Sequence, residues 1–319
     1  MACNKKEKIH KTSIGGQAVI EGVMMKGPNK IATTVRKPDG SLVNEVKPCG
    51  KVRSNRFIKL PIIRGCVGFF DSMILGVSAL MFSAKFFDVE GDEAPQAEQS
   101  KFEKRLEEML GSEKAMNVLI YISVCLSLLM SVGLFILLPT IIAGFLKGFI
   151  TNHVVLTLAE GAVRIMIFLL YLALVSRMQD IKRVFMYHGA EHKTIHCYEK
   201  GLELTVENVR KQSRLHPRCG TSFLLVVMVI SIIIFSFISW NNPIVRLLLR
   251  LALLPVVAGL SYEVIKFAGR YDNWFTAALS APGKWLQYIT TNEPDDSQIE
   301  VAIASLTAVI PEDKSEDKW

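Results

Sequence analysis

Residues 115–146 read AMNVLIYISVCLSLLMSVGLFILLPTIIAGFL, 32 positions without a charged side chain between Lys114 and Lys147. A bilayer core of about 30 Å is crossed by roughly 20 helical residues, so this run is long enough to span. A second uncharged run fills the 27 positions between Arg218 and Arg246. Two further stretches, 154–177 and 244–266, have the length but carry Glu160 and Arg164, and Arg246, Arg250 and Glu263. Each of them completes a hairpin with a clean run through a short connection, near 147–153 and 240–243. Four spans are expected. Half of the 319 residues are apolar and the mean hydropathy is +0.31, too high for a typical soluble chain.

Charge gives the expected orientation. Residues 1–64 hold 14 Lys/Arg and residues 177–218 hold nine, whereas the connections 147–153 and 240–245 hold only Lys147. Basic segments stay on the cytoplasmic side, so both termini and the central segment are expected there, in the cell membrane. The net charge of +7 is thereby a matter of topology, and nucleic acid is not an expected partner. The apolar segment Cys66–Ala84 would invert this parity if it crossed, and is expected to be interfacial or re-entrant. Charges inside spans are costly and usually paired. Glu160 and Arg164, four apart, suit an intrahelical ion pair; Glu160 and Arg250, at similar depth, suit a pair between helices.

The expected organisation is a mainly α four-span bundle with a small β-rich region and interfacial amphipathic helices. Residues 1–60 form the β-rich cytoplasmic region. Gly15–Gly16 opens it, an apolar run follows from Ala18 to Met25, and Pro38-Asp39-Gly40 turns a hairpin between Ile31–Arg36 and Leu42–Val46. Residues 61–90 are the interfacial or re-entrant helix, and 91–116 an acidic linker and amphipathic helix. The hairpins cover 117–177 and 222–268, separated by a histidine-rich segment, 178–221. Residues 269–319 are an interfacial segment, marked by Trp274, Trp285 and Tyr288, and a tail with one short apolar helix, Ile299–Ile310. Pro139 is expected to kink the first span or start a re-entrant tail. No signal peptide is expected from the basic, polar first 60 residues. The six cysteines form no CxxC pair, and free thiols are expected.

Four of the six histidines fall within 29 residues. One cluster is Tyr187-His188-Gly189-Ala190-Glu191-His192-Lys193-Thr194-Ile195-His196-Cys197, the other His216-Pro217-Arg218-Cys219-Gly220-Thr221. His188, His192 and His196 recur every four residues, so a helix stacks them on one face. His188-x-x-Glu191-His192 is also the inverted zincin pattern, with two zinc-binding histidines and a glutamate that activates water. Neutral imidazole and thiolate suit Zn²⁺, and a catalytic zinc takes three protein ligands and keeps an open position. His188 and His192 are the natural first pair; His216, Cys219 and His196 compete as the third ligand. Glu191 is the candidate catalytic base. A closed site of three histidines and Cys219 fits the same residues. Gly189, mid-helix, costs roughly 1 kcal/mol relative to alanine and signals close approach of another backbone. Thr221 or Ser222 is expected to cap the following helix. Glu263 lies at the right depth to approach the histidines, with a local contact to Lys266 as the alternative.

With these motifs the chain resembles the YqhQ-like family, a bacterial group built on a domain of unknown function. The resemblance rests on Gly15-Gly16-Gln17-Ala18-Val19-Ile20-Glu21-Gly22-Val23-Met24-Met25, on Tyr187–Lys193, on His216–Thr221 and on Asn292-Glu293-Pro294-Asp295-Asp296. It implies a predicted metal-dependent enzyme and singles out Gln17 and Glu21 as accessory residues. Two functions are expected to compete. One is a membrane-embedded zinc-dependent hydrolase acting at the cytoplasmic face on a lipid or membrane-bound peptide. The other is a membrane-protein biogenesis or assembly factor, with a membrane-protein partner and a structural metal or none. A transporter has too few intramembrane polar groups to line a path.

Overall fold

The computed structural model describes residues 10–49, 60–87, 112–237, 243–271 and 273–318. The amphipathic helix expected within 101–110 and the acidic linker at 88–100 lie outside these residues. The chain divides into two compact units.

The first unit takes in residues 1–87, 172–234 and 240–319. It contains an antiparallel sheet of four strands in chain order: β1 Gly15–Val19, β2 Gly22–Lys26, β3 Lys30–Arg36 and β4 Leu42–Pro48. The β3–β4 hairpin is the expected one. Gly40 takes φ +83°, and the Ser41 amide donates to Asp39 Oδ1 at 2.8 Å. The apolar run Ala18–Met25, read as one element, is instead split by a two-residue turn at Ile20–Glu21, with Val19 paired to Gly22. The signal was weak because Glu21 holds φ +49°, where glycine or asparagine is the usual marker.

Strand alternation divides β2 between two faces. Val23 and Met25 join Ala32 in a core completed by the last helix, α10 (Asp296–Val309), through Ile299, Ala302, Leu306 and Val309. The Ser305 hydroxyl lies 3.0 Å from the carbonyls of both Val23 and Ala32. Met24 faces the other way with Val19, against Ala79 and Leu75 of α1 (Ile63–Ala84). The expected tail helix is thus a structural layer of the N-terminal sheet. The C-terminal end returns further: buried Asp317 accepts from the Thr12 hydroxyl at 2.5 Å and contacts His10 Nε2 at 2.8 Å.

The same unit holds α5 (Gln179–Glu199), the short α6 (Val206–Arg210), most of α7 (Gly220–Ser236), α8 (Pro243–Arg270) and α9 (Trp274–Thr290). Helices α1 and α8 meet at Gly65 and Gly259, where a Cβ on Gly65 would stand 2.9 Å from the Gly259 carbonyl. Arg64 Nε donates to Glu263 Oε1 at 2.6 Å across this contact.

The second unit comprises residues 88–171 and 235–239. Its described helices are α2 (Ser112–Val132), a π-helical stretch Gly133–Leu137, α3 (Leu138–Leu146) and most of α4 (His153–Val175). The π stretch ends just before Pro139, whose missing N–H and bulky ring disrupt regular α-helical bonding, so the expected irregularity is a widened turn. Glu160 pairs with Arg164 at 3.4 Å in the expected intrahelical manner and also accepts from the Thr140 hydroxyl at 2.9 Å.

Among the described residues, four helical segments are long and apolar enough to cross a membrane: Ile63–Ala84, Ile122–Leu146, Val154–Val175 and Leu247–Arg270. Large apolar side chains such as Ile74, Leu129, Met166 and Leu248 stand exposed along them. In water that surface would be costly, and it identifies a membrane protein. The count agrees with the sequence reading, but the set differs. The segment expected to be interfacial or re-entrant is one continuous helix of 22 residues, whereas Gly220–Ser236, expected as the third span, has 17.

Candidate metal centre

The centre is built on α5, within the first unit. Its four-residue spacing brings the rings of His188 and His192 to a centroid separation of 4.4 Å. Gly189 lets the chain after α9 pass against the helix: a Cβ there would lie 2.0 Å from the Asn292 carbonyl. The expected close backbone approach is therefore present. This passing segment and the residues before α7 orient the rings. His188 Nδ1 lies 2.8 Å from the Thr290 carbonyl and His192 Nδ1 lies 2.6 Å from the Arg214 carbonyl. A carbonyl only accepts, so each Nδ1 carries the proton and each Nε2 is directed inward, the arrangement that outer partners impose on metal-binding histidines.

Cys219 is the third member. The ligand atoms of His188, His192 and Cys219 lie within 4.8 Å of one another, and His188 Nε2 is 3.2 Å from Cys219 Sγ. Ligand atoms of a tetrahedral zinc with Zn–N near 2.0 Å and Zn–S near 2.3 Å stand roughly 3.5 Å apart, so this donor set fits such an ion. Sγ also accepts from the Thr221 amide at 3.5 Å, so Cys219 takes the place at the start of α7 expected for Thr221 or Ser222. Burial alone would push the thiol up, but the charges of His192 and His188 hold it well below its ordinary value. Burial likewise pulls His188 down, yet the Cys219 thiolate charge and hydrogen bond raise it to about 9.

Glu191 lies between this cluster and the sheet. Its Oε1 accepts from the Gly16 amide at 3.0 Å, while Oε2 is buried without a hydrogen-bond partner. Burial raises its pKa, against the opposing charges of His188 and His192. Gly16 is required at this point, because a Cβ there would fall 2.4 Å from the Met24 carbonyl and 3.2 Å from the Glu191 carboxyl carbon. An orphaned carboxylate oxygen beside two inward-facing imidazoles and a thiolate is the second observation that fits a cation. His188, Glu191, His192 and Cys219 all border a cavity of about 500 Å³, together with β1 and with Ser72 and Leu75 of α1.

His216 and His196, the other candidate ligands, form a second cluster with Glu199. Their rings are 4.7 Å apart, and the His216 ring stands 5.5 Å from that of His192. Here the positive partner is already part of the chain: Arg218 donates to Glu199, which also accepts from the Thr12 amide at 2.9 Å and faces His216 Nε2 at 3.6 Å. Burial pushes Glu199 up, but the His216 hydrogen bond and Arg218 bring it down to about 2. His216 itself is depressed to about 3, chiefly by burial. His216 is further fixed by Gln287, whose Oε1 accepts from the His216 amide at 2.7 Å and whose Nε2 donates to its carbonyl at 2.8 Å.

The remaining candidates fall in three places. Gln17 borders the cavity, and its Nε2 donates to the Ser72 carbonyl at 3.2 Å. Glu21 does not border it; Arg183 Nη2 donates to Glu21 at 2.6 Å and the Tyr187 hydroxyl at 3.0 Å. Glu263, expected to approach the histidines, is instead held by Arg64 at the α1–α8 contact, because a half-buried carboxylate takes the nearest cation. Glu199, Arg218 and Gln287 escaped the sequence reading. His196-x-x-Glu199 repeats the His188-x-x-Glu191 spacing and was the available signal for the first.

Residues 60–312 match the family described as "Protein of unknown function (DUF1385)". The chain is 35% identical over 298 residues to the "Uncharacterized protein YqhQ" of Bacillus subtilis (strain 168), covering 93% of this chain and 92% of that protein. No solved structure matches. With a match over most of its length, the chain belongs to the DUF1385, YqhQ-like family.

Proposed function

We propose that this membrane protein is a zinc-dependent hydrolase that acts at the cytoplasmic face on a lipid or a membrane-bound peptide. The observation that carries the reading is Glu191 Oε2, buried and unpaired beside His188, His192 and Cys219 at the wall of a cavity. Three protein donors leave a tetrahedral ion one open position, as hydrolytic sites require. A zinc ion held there would supply Lewis acidity and lower the pKa of water. His188 and His192 are held in one tautomer by the Thr290 and Arg214 carbonyls. Gly16 fixes Glu191 through Oε1, which leaves Oε2 to take and return a proton. Its burial-raised pKa favours that role, since a base works best with a pKa nearer the ambient pH. The basic residues of 1–64 and 177–218, which share one side through the Gly16–Glu191 hydrogen bond, support a cytoplasmic placement of both termini and of residues 178–221, a reading that counts Gly220–Ser236 and not Ile63–Ala84 among the crossings.

Zinc analysis of untagged protein, wild type and two variants, tests this reading. His192→Ala removes a ligand and is expected to strip the metal, whereas Glu191→Gln keeps the metal and abolishes complementation of a deletion strain. If Glu191→Gln complements while the metal is retained, the site is structural and the assembly-factor reading replaces the enzyme. Wild-type protein without stoichiometric metal ends both metal readings. Labelling of a cysteine placed at residue 200 from the outer side of intact cells overturns the orientation.

A further inference from the structure

We propose that the substrate is a polypeptide that binds extended, as an added strand along the outer edge of β1; this rests on the hydrolase reading above. Strand β1 is a terminal strand of the sheet, paired only to β2 within it. The Gly16 amide points away from β2, since it donates to Glu191 at 3.0 Å. Backbone groups alternate edges along a strand, and Gly16 and Ala18 occupy equivalent positions opposite Met25 and Val23. The Gly16 carbonyl and both the amide and carbonyl of Ala18 therefore face the same outer side. That side borders the cavity that holds His188, Glu191 and His192. Donors and acceptors repeating every second residue, about 7 Å apart, match the backbone of another extended chain.

The charges argue for the same substrate. Beyond the metal and its histidines, a phosphate-bearing headgroup calls for a free lysine or arginine, and among the described residues the two such side chains bordering the cavity, Lys26 and Arg218, are each engaged by a carboxylate, Asp71 and Glu199. Gly15 and Gly16 add no side chain to block the edge, and Gly15 has open space where a Cβ would stand. The reaction is then amide hydrolysis. The C–N bond breaks, the oxygen of water bonds to the carbonyl carbon, and Glu191 Oε2 relays the two protons of water in turn to the departing amine, leaving a carboxylate and an ammonium group.

The test uses the zinc-loaded full chain in detergent and four probes followed by calorimetry. They are acetohydroxamate, octanohydroxamate, a tripeptidyl hydroxamate and the same tripeptide methylated on its backbone amides. The tripeptidyl probe is expected to bind at least about tenfold tighter than acetohydroxamate, and methylation to remove that gain, as expected for one or two backbone hydrogen bonds. Ala18→Pro removes one outward donor without touching the β1–β2 bonds, a change that edge strands accommodate. It should cost the tripeptidyl probe a similar factor, with acetohydroxamate reporting whether the centre is intact. Equal binding of the methylated and unmethylated tripeptides to wild type overturns the proposal, as does tightest binding of octanohydroxamate, which points to a lipid. Both results leave the metal reading standing if zinc is held and acetohydroxamate binds. Failure of the wild type to hold zinc and to bind any hydroxamate ends that reading and this proposal with it.

Discussion

Helix α5 carries the same short unit twice, His188-x-x-Glu191 and His196-x-x-Glu199, and the two copies have opposite electrostatics. Both glutamates are buried, at 5% and 6% exposure, and both face a second histidine, His192 or His216. Around Glu199 the chain supplies a guanidinium, an amide and an imidazole, and the carboxylate is held ionised. Around Glu191 it supplies one amide, leaves the second oxygen unpaired and raises the pKa. A buried carboxylate thus becomes a fixed anion or a proton acceptor according to whether a permanent cation is built in beside it. In the second cluster Arg218 occupies the role that a metal would have in the first.

The largest expected effect breaks the contrast at Arg218. Arg218→Met leaves Glu199 buried without its cation and is expected to destabilise the protein by about 3–5 kcal/mol in detergent unfolding. Glu199→Gln added to it should restore much of the loss; an unaltered melting point for the single variant would show that Glu199 does not depend on Arg218.

Acid should act on the second cluster next. Glu199 titrates near 2 in the fold against an ordinary 4.5, so its stabilisation is present above pH 4.5 and lost as the pH falls towards 2. His216, depressed to about 3 from 6.5, works in the same direction, because below pH 6.5 the unfolded chain binds the proton that the fold resists. The Glu199 share is roughly 3 kcal/mol. Melting temperatures between pH 7 and 3 should fall steadily, and His216→Asn should flatten the upper part of that slope.

Metal affinity separates the clusters directly. Cys219→Ser is expected to weaken zinc binding by about 100-fold or more, while His216→Asn changes it by less than about tenfold, as measured by competition with a chelator. Equal losses would place both clusters around one ion.

The smallest effect is expected at Glu21. Its pair with half-exposed Arg183 is worth under about 1 kcal/mol, and glycine would relieve the positive φ. Glu21→Gly should therefore unfold within about 1 kcal/mol of wild type and retain its zinc.

Much of this was legible in the sequence for definite reasons. Long uncharged runs can be read because the bilayer demands length, and the spacing of His188, Glu191 and His192 because a helix repeats every 3.6 residues. That Cys219 rather than His216 clusters with His188 and His192 was not legible, since it depends on how Gln287 pins the segment before α7. Cys66–Ala84 was legible as a helix from its apolarity, whereas its packing against α8 at Gly65 was not, because that contact joins residues far apart in the chain. The role of α10 was hidden because its partners, Val23 and Ala32, lie at the other end of the chain.

That last feature sets a timetable for biosynthesis. The sheet is translated first, but Ser305, which meets the Val23 carbonyl, follows 282 residues later. The apolar face of Val23, Met25 and Ala32 waits uncovered while the helical segments emerge and insert. Contacts of such long sequence separation form late. Because Gly16 lies on that sheet and holds Glu191, the setting of this carboxylate is complete only after nearly the whole polypeptide has left the ribosome.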